Sequence, residues 1–314
     1  MRKTILIYPI GEKRHSVYDS TIEMLSKKYN LIYNLNNTKK SKLLMKASHI
    51  YLIRSIYQRW IRPIISLEEV KNKIFQKKSF NIPDYDIIFS SNTLPYNTKS
   101  SYIVDLEIIT ALSGYDYNRL GKKKIENELK RSNCKAIICW NELSKESLVK
   151  TINCDKFKNK IKVILFGIRE FEKKKFHKDK INLLFVSSLN NSFDFELKGG
   201  VYALEAYSSL VKKISNLTLT VRASVPKWVK RKYNSINGIR FFENSISRKE
   251  MEDLFKDSDM LLEPIPGINL MLECMKFGVP TVVFDFWAIP EMIINGKNGY
   301  VIDSSVIFGN KNNM

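Results

Sequence analysis

Histidine is nearly missing from this chain. Only His15, His49 and His177 occur, and no two are spaced as partners. That excludes metal centres or proton relays built on imidazole pairs. His177 lies in a Lys-rich run and reads as exposed. The four cysteines, Cys134, Cys139, Cys154 and Cys274, follow no zinc or redox spacing and fit a reducing, cytoplasmic setting. No apolar run is long enough to cross a bilayer. The opening run Thr4 to Ile10 contains a proline and lacks a small-residue cleavage site, so it reads as a first strand rather than an export leader. Acidic residues are also in short supply. There are 32 Asp and Glu against 52 Lys and Arg, a net charge of +20.

This excess is uneven. Residues 1–80 carry 17 Lys and Arg against five Asp and Glu, and residues 251–314 reverse the balance, four against nine. A basic face suits nucleic acid or an anionic membrane, or simply decorates a solvated surface. There is no zinc-finger spacing, RRM-type aromatic signature or heptad run after a basic region, so no nucleic acid is expected as a partner.

The 314 residues suffice for two domains of ordinary size. Short apolar runs alternate with helical patterns. ILIY (5–8) precedes the helical STIEMLSKKY (20–29), then come DIIFSS (86–91), SYIVDL (101–106), AIICW (136–140) and KVILF (162–166). After the Lys-rich stretch 170–180 the pattern restarts with INLLFVSS, a helix over about 198–214, LTLTVRAS, GIRFF, a helix in SRKEMEDLFKDS, DMLLEP, a helix from about 268, VPTVVFD, a helix starting at Pro290, and GYVID. Strands separated by helices predict parallel sheets. The expected fold class is α/β, with two Rossmann-like doubly wound domains facing a cleft. Residues 1–170 form the first, 171–180 a linker and 181–314 the second. Asn141 is expected to cap the helix after AIICW. One segment breaks the rhythm. In 39–64, Ile50, Ile53, Tyr57, Trp60 and Ile64 share one helical face and Arg54, Gln58, Arg59 and Arg62 another. That suits a helix lying on anionic lipid, and equally a buried helix with a basic outer face.

The densest chemistry lies in LLEPIPGINLMLECMKFGVPTVVFDFWAIPEMIINGKNG. A loop through Gly267 opens a helix whose free N–H groups suit phosphate oxygens, with Asn269 and Leu270 in its first turn. Glu273, one turn in, suits a ribose diol. Gly278-Val279-Pro280 stops the helix, a strand follows, and Glu291 falls in the first turn of the next helix. The pieces together build the rim of a nucleotide-sized site.

This stretch resembles the C-terminal signature of retaining glycosyltransferases of the GT-B fold, the group 1 or family 4 set. ELKGGVYALEAYSSLVKK is similar to that family's Lys-Gly segment, and SYIVDLEIITALSGYDY, KAIICWNELSKESL and KIKVILFGI to parts of its first domain. The resemblance is specific over about 181–303. It implies a nucleotide-diphosphate sugar as donor, a glycan or lipid-linked acceptor, no essential metal and no cofactor beyond the sugar nucleotide. It makes Lys198 the diphosphate-binding and catalytic cation and Glu273 the ribose ligand. The acceptor side falls at Gly11, Asp105 and Glu107, with Asp105 also a catalytic candidate. Asp105 reads equally well as a cap for the helix that follows it.

Departures accompany the match. Of the family's two glutamates, the first would fall at Ile265. Ser187-Ser188 stand where a Gly-Arg pair is usual, and Arg222, ending the neighbouring strand, is the expected replacement cation. The chain ends at Met314, before the closing helices the family usually adds. A degenerate subunit that binds without turnover therefore stays open beside the enzyme, as does, more distantly, a nucleic-acid binder. If residues 39–64 meet lipid, the protein will co-sediment with anionic vesicles more than with neutral ones, and less as salt rises. Charge reversal at Arg54, Arg59 and Arg62 should abolish this. Equal sedimentation with both vesicle types would rule out electrostatic attachment.

Overall fold

The computed structural model describes residues 2–8, 17–32, 84–115, 117, 120–168, 179–189, 191–265 and 267–305. The expected helix at 39–64, Gly11 and most of the linker lie outside the described residues. Two compact units divide the chain, Met1–Gly167 and Ile168–Met314.

The first unit carries β1 (Thr4–Tyr8), α1 (Val17–Lys28), β2 (Asn30–Ile32), β3 (Ile87–Ser91), β4 (Tyr102–Leu106), α2 (Lys122–Lys130), β5 (Cys134–Cys139), α3 (Glu142–Thr151) and β6 (Ile161–Val163). Its six strands run in the order β2-β1-β3-β4-β5-β6, and every pairing is parallel. Parallel strands need a crossover between them, so helices cover the faces and the strands read as apolar runs. Leu6, Ile88, Val104 and Ile137 pack with Ile125 and Leu129 of α2 and Leu148 of α3. As expected, Asn141 caps α3, its Oδ1 accepting from the Ser144 N–H at 2.8 Å.

The second unit carries β7 (Ile181–Val186), α4 (Phe193–Leu197), α5 (Gly200–Leu210), β8 (Leu217–Arg222), α6 (Lys227–Tyr233) and β9 (Ile239–Phe242). It continues with α7 (Arg248–Lys256), β10 (Met260–Leu262), α8 (Ile268–Lys276), β11 (Thr281–Phe284), α9 (Ile289–Met292) and β12 (Gly299–Ile302). Its strand order is β12-β11-β10-β7-β8-β9, again all parallel. Successive residues of β7 point to opposite faces. Phe185 joins Leu204, Tyr207 and Val221 on one side, while Leu184 joins Phe255, Leu261 and Cys274 on the other. The chain order reverses between β7 and β10, which makes the crevice outside their carboxyl ends the place for a ligand. A capping box starts α7, Ser247 and Glu250 bonding reciprocally. All four cysteines are free and buried.

Four local expectations change. The helix expected over 198–214 is α5, ending at Leu210, and an unforeseen short helix, α4, precedes it, the two separated at Lys198-Gly199. Gly199 has φ 78°, and a Cβ there would sit 2.7 Å from the Cβ of Pro264. Only glycine fits both the left-handed backbone and that contact. The strand in KVILF stops at Val163, and the three-residue β2 was not foreseen. Pro290 is the second residue of α9 rather than its first.

Gly299 lies in register with Thr281, and a Cβ on it would meet the Thr281 carbonyl oxygen at 2.2 Å. Gly299→Ala must push β12 off the sheet, at a cost of about 1–3 kcal/mol. Urea unfolding followed in the second unit should show a lowered midpoint. Gly167→Ala, which meets nothing within 4 Å, serves as the control.

Candidate active site

The carboxyl ends of the second sheet collect polar groups that the fold leaves unsatisfied. Ser187 directly follows β7, and its buried Oγ has no partner among the described residues. β8 ends at Arg222, in register with Val186. Its Nη1 donates to the Ser187 carbonyl oxygen at 3.3 Å, and its buried Nε has no partner. Burial draws the guanidinium's pKa down, yet a guanidinium stays charged. The expectation that Arg222 opens on this end of the sheet is met in position: it turns toward Ser187, and no acid pairs with it among the described residues.

Between these strands and α8 runs the loop Glu263–Gly267. The Ile265 N–H donates to the Lys198 carbonyl oxygen at 3.3 Å, and a Cβ on Gly267 would lie 3.8 Å from Lys198 Nζ. The ammonium therefore stands at the N-terminus of α8, which no side chain caps. Asn269, in the first turn, has a buried and unpartnered Oδ1. Two cations, a helix N-terminus, a serine and an amide thus converge where the strand order reverses. Such an arrangement holds anionic oxygen.

Sequence reasoning missed Glu263. It follows β10 directly, is 1% exposed, and its Oε2 has no partner. Burial pushes its carboxyl well above the ordinary range, against the pull of the Lys198 ammonium and the Val186 N–H. An acid between MLL and Pro264 was visible in the sequence. Its burial comes from neighbouring strands, which no local stretch of sequence reveals.

Glu273 lies one turn beyond Asn269 on the same helical face. Its Oε1 accepts from Arg248 Nη1 at 2.9 Å, and Arg248 also pairs with Glu252, which Lys276 contacts in turn. Leu270 lies between Asn269 and the buried Met271 of α8. Glu291 is exposed in the first turn of α9. A cavity of about 410 Å³ opens instead beside Asn182, Thr218 and Asp257. It is lined largely from the amino-terminal part of the strands and belongs to no predicted residue.

In the first unit Asp105 ends β4, 2% exposed. Its Oδ1 accepts from the Asn92 N–H at 2.9 Å and its Oδ2 from Trp140 Nε1 at 3.2 Å. The Tyr18 hydroxyl stands beside it, close enough to perturb its charge but outside hydrogen-bond geometry. Burial raises the Asp105 carboxyl to about 6. It does not cap the following 3₁₀ helix, Ile109–Ser113, whose start has no side-chain cap. Instead it steadies Asn92, a non-glycine residue at φ 52°, whose Oδ1 accepts from the Glu107 N–H at 2.7 Å. The Glu107 carboxylate is less buried and accepts from the Tyr115 hydroxyl.

Residues 180–308 match the family described as Glycosyl transferases group 1. The match lies within the second unit. Solved structures agree with the fold. HepE of Anabaena in complex with UDP is 15% identical over 96% of this chain and 86% of its own, with a TM-score of 0.55. The E. coli trehalose-6-phosphate structure bound with UDP-2-fluoro glucose is 11% identical over 96% and 88%, with a TM-score of 0.56. TarM matches 69% of this chain at 15% identity and a TM-score of 0.48, and the chain spans 44% of TarM's length. No curated protein sequence matches the chain. At these identities the likeness is one of fold, and that fold is GT-B.

Asp105 gives a pH dependence of unusual sign. Its folded value of about 6 exceeds the ordinary unfolded one, so between the two the native state holds a proton that the unfolded chain has lost. Stability from this group is fully present below the unfolded value and is lost as pH rises from there through about 6, on the order of 3 kcal/mol in all. Urea midpoints should show the parent gaining on Asp105→Asn as pH falls from neutral. A difference that does not change with pH would place the charge outside the core.

Proposed function

We propose that this protein transfers a sugar from a nucleotide-diphosphate donor to a hydroxyl acceptor, glycan or lipid-linked, with retention at the anomeric carbon and without a metal. The observation that carries the reading is the convergence of Ser187, Lys198, Arg222, Gly267 and Asn269 at the strand-order reversal of a group 1 glycosyl transferase domain. The neighbours with bound UDP or UDP-sugar share this fold.

In this reading the bond from the anomeric carbon to the diphosphate oxygen breaks, and its electron pair leaves with the diphosphate. Lys198, Arg222 and the N–H groups opening α8 stabilise that growing charge. The acceptor oxygen bonds the same carbon on the same face and passes its proton to the departing diphosphate oxygen. We assign the ribose to Glu273, with Arg248 orienting its carboxylate. Leu270 packs beneath the nucleotide, and Glu291 approaches the donor from α9. The acceptor is assigned to the first unit, at Gly11, Asp105 and Glu107. Glu107 is the better placed of the two acids, because both oxygens of Asp105 are engaged. We place the protein on the cytoplasmic face of a membrane, held there by residues 39–64. No helix among the described residues is long and apolar enough to cross one.

The test is release of nucleoside diphosphate from a panel of sugar nucleotides with and without hydroxyl acceptors, and the anomeric configuration of the product by NMR. Donor binding without turnover would make the chain a degenerate subunit, and an inverted product would refute retention. Lys198→Ala and Arg222→Lys should each weaken UDP binding by about 1.5–3 kcal/mol, as for charged hydrogen bonds. Both should leave uridine binding nearly unchanged. If Arg222→Lys binds UDP as tightly as the parent, Arg222 is not the replacement cation.

A further inference from the structure

Glu263 does not fit a site built to attract anions. A carboxyl group, 1% exposed, sits among Ser187, Lys198 and the N-terminus of α8, where a diphosphate would be repelled by its charge. The Val186 N–H acts on this carboxyl, but burying it with Oε2 unpartnered among the described residues is costly unless the group has a role or gives up its charge. The groups facing it can be named element by element. From the α4–α5 break comes the Lys198 ammonium, and from α8 the buried Cys274 thiol, which burial and the Glu263 charge keep protonated. The neighbouring strand ends carry Arg222, which donates to the Ser187 carbonyl, and Asp285, whose Oδ1 accepts from the Ser304 N–H at 2.8 Å. The Lys198 ammonium pulls the Glu263 carboxyl down, the Lys198 backbone is tied to the same loop through the Ile265 N–H, and no ion pair within 4 Å is closed between the two side chains among the described residues.

We infer that Glu263 is a positioning residue: it is the resting counter-charge of Lys198, and the donor's diphosphate takes its place, Glu263 accepting a proton as the phosphate arrives. The empty site then keeps its lysine drawn in against the Glu263–Gly267 loop. The loaded site holds one ammonium, the phosphates and a neutral acid. The acid that would oppose the donor is silenced by the donor's own arrival. The inference rests on the nucleotide-sugar reading above.

Two measurements test it. The first needs no ligand. Melting temperatures of the parent, Glu263→Gln, Lys198→Met and the double variant should be non-additive, because each single change strands the other group. Additive shifts overturn the resting pair. The second is calorimetry of UDP binding in buffers of different ionisation enthalpy, from acidic to alkaline pH. Above the titration of Glu263 the parent should take up one proton more than E263Q. Its affinity should fall relative to E263Q by up to about tenfold per pH unit, the limit for one linked proton. The nucleotide's own phosphate titrates in both proteins and cancels in the comparison. Identical proton uptake and identical pH profiles overturn the inference. A parent that binds no UDP overturns the nucleotide-sugar reading, and the thermal cycle still decides the resting pair.

Discussion

Parallel strands cannot be joined by a tight turn, so every strand in this protein must return through a crossover before the next begins. The consequence reaches well beyond topology. All strands of a sheet point the same way, so every residue that follows a strand comes out on one edge. Ser187, Arg222, Glu263 and Asp285 are far apart in sequence and meet for that reason alone. Where the winding reverses, between β7 and β10, the connections leave toward opposite sides, and the strand ends there are the place for a crevice. The apolar interior strands fix where the polar groups go.

The chemistry of the edge follows from what the backbone does next. The break between α4 and α5 carries Lys198 outward, and the contact of Gly199 with Pro264 locks that break to the loop before α8. The cation and the helix N-terminus are thereby placed by the same short contact. Orphaned atoms on Ser187, Arg222, Glu263 and Asn269 mark a surface arranged for something the protein itself does not supply. The first unit uses its strand ends differently. Asp105 is spent on holding Asn92 in a left-handed turn, and Glu107 is what that turn presents.

Much of this was legible in the sequence. INLLFVSS, LTLTVRAS, GIRFF, DMLLEP, VPTVVFD and GYVID all became strands, because buried parallel strands are continuous apolar runs bounded by turn residues. Lys198, Gly267 and Asn269 were legible because a helix start after a Gly-containing loop has a local signature. The short helix α4 before Lys198 was not, since five residues carry too little periodicity to mark a helix. β2 is too short to carry a pattern. Burial of Glu263 and of Asp105 depends on neighbouring strands, which no local window contains. Arg248 pairs with Glu273 from another helix and was invisible for the same reason.

The cysteines carry one more consequence. Burial pushes the Cys139 thiol up to about 12 and the Cys154 thiol to about 11, and raises Cys134 and Cys274 as well. The thiolate is the reactive form, so sulfur chemistry in this molecule waits on exposure of the interior. Three of these sulfurs lie in the first unit and Cys274 lies in the second, on α8 and packed against β7. Each half of the chain therefore carries its own latent alarm for local opening, and the one in the second half sits directly behind the proposed donor site.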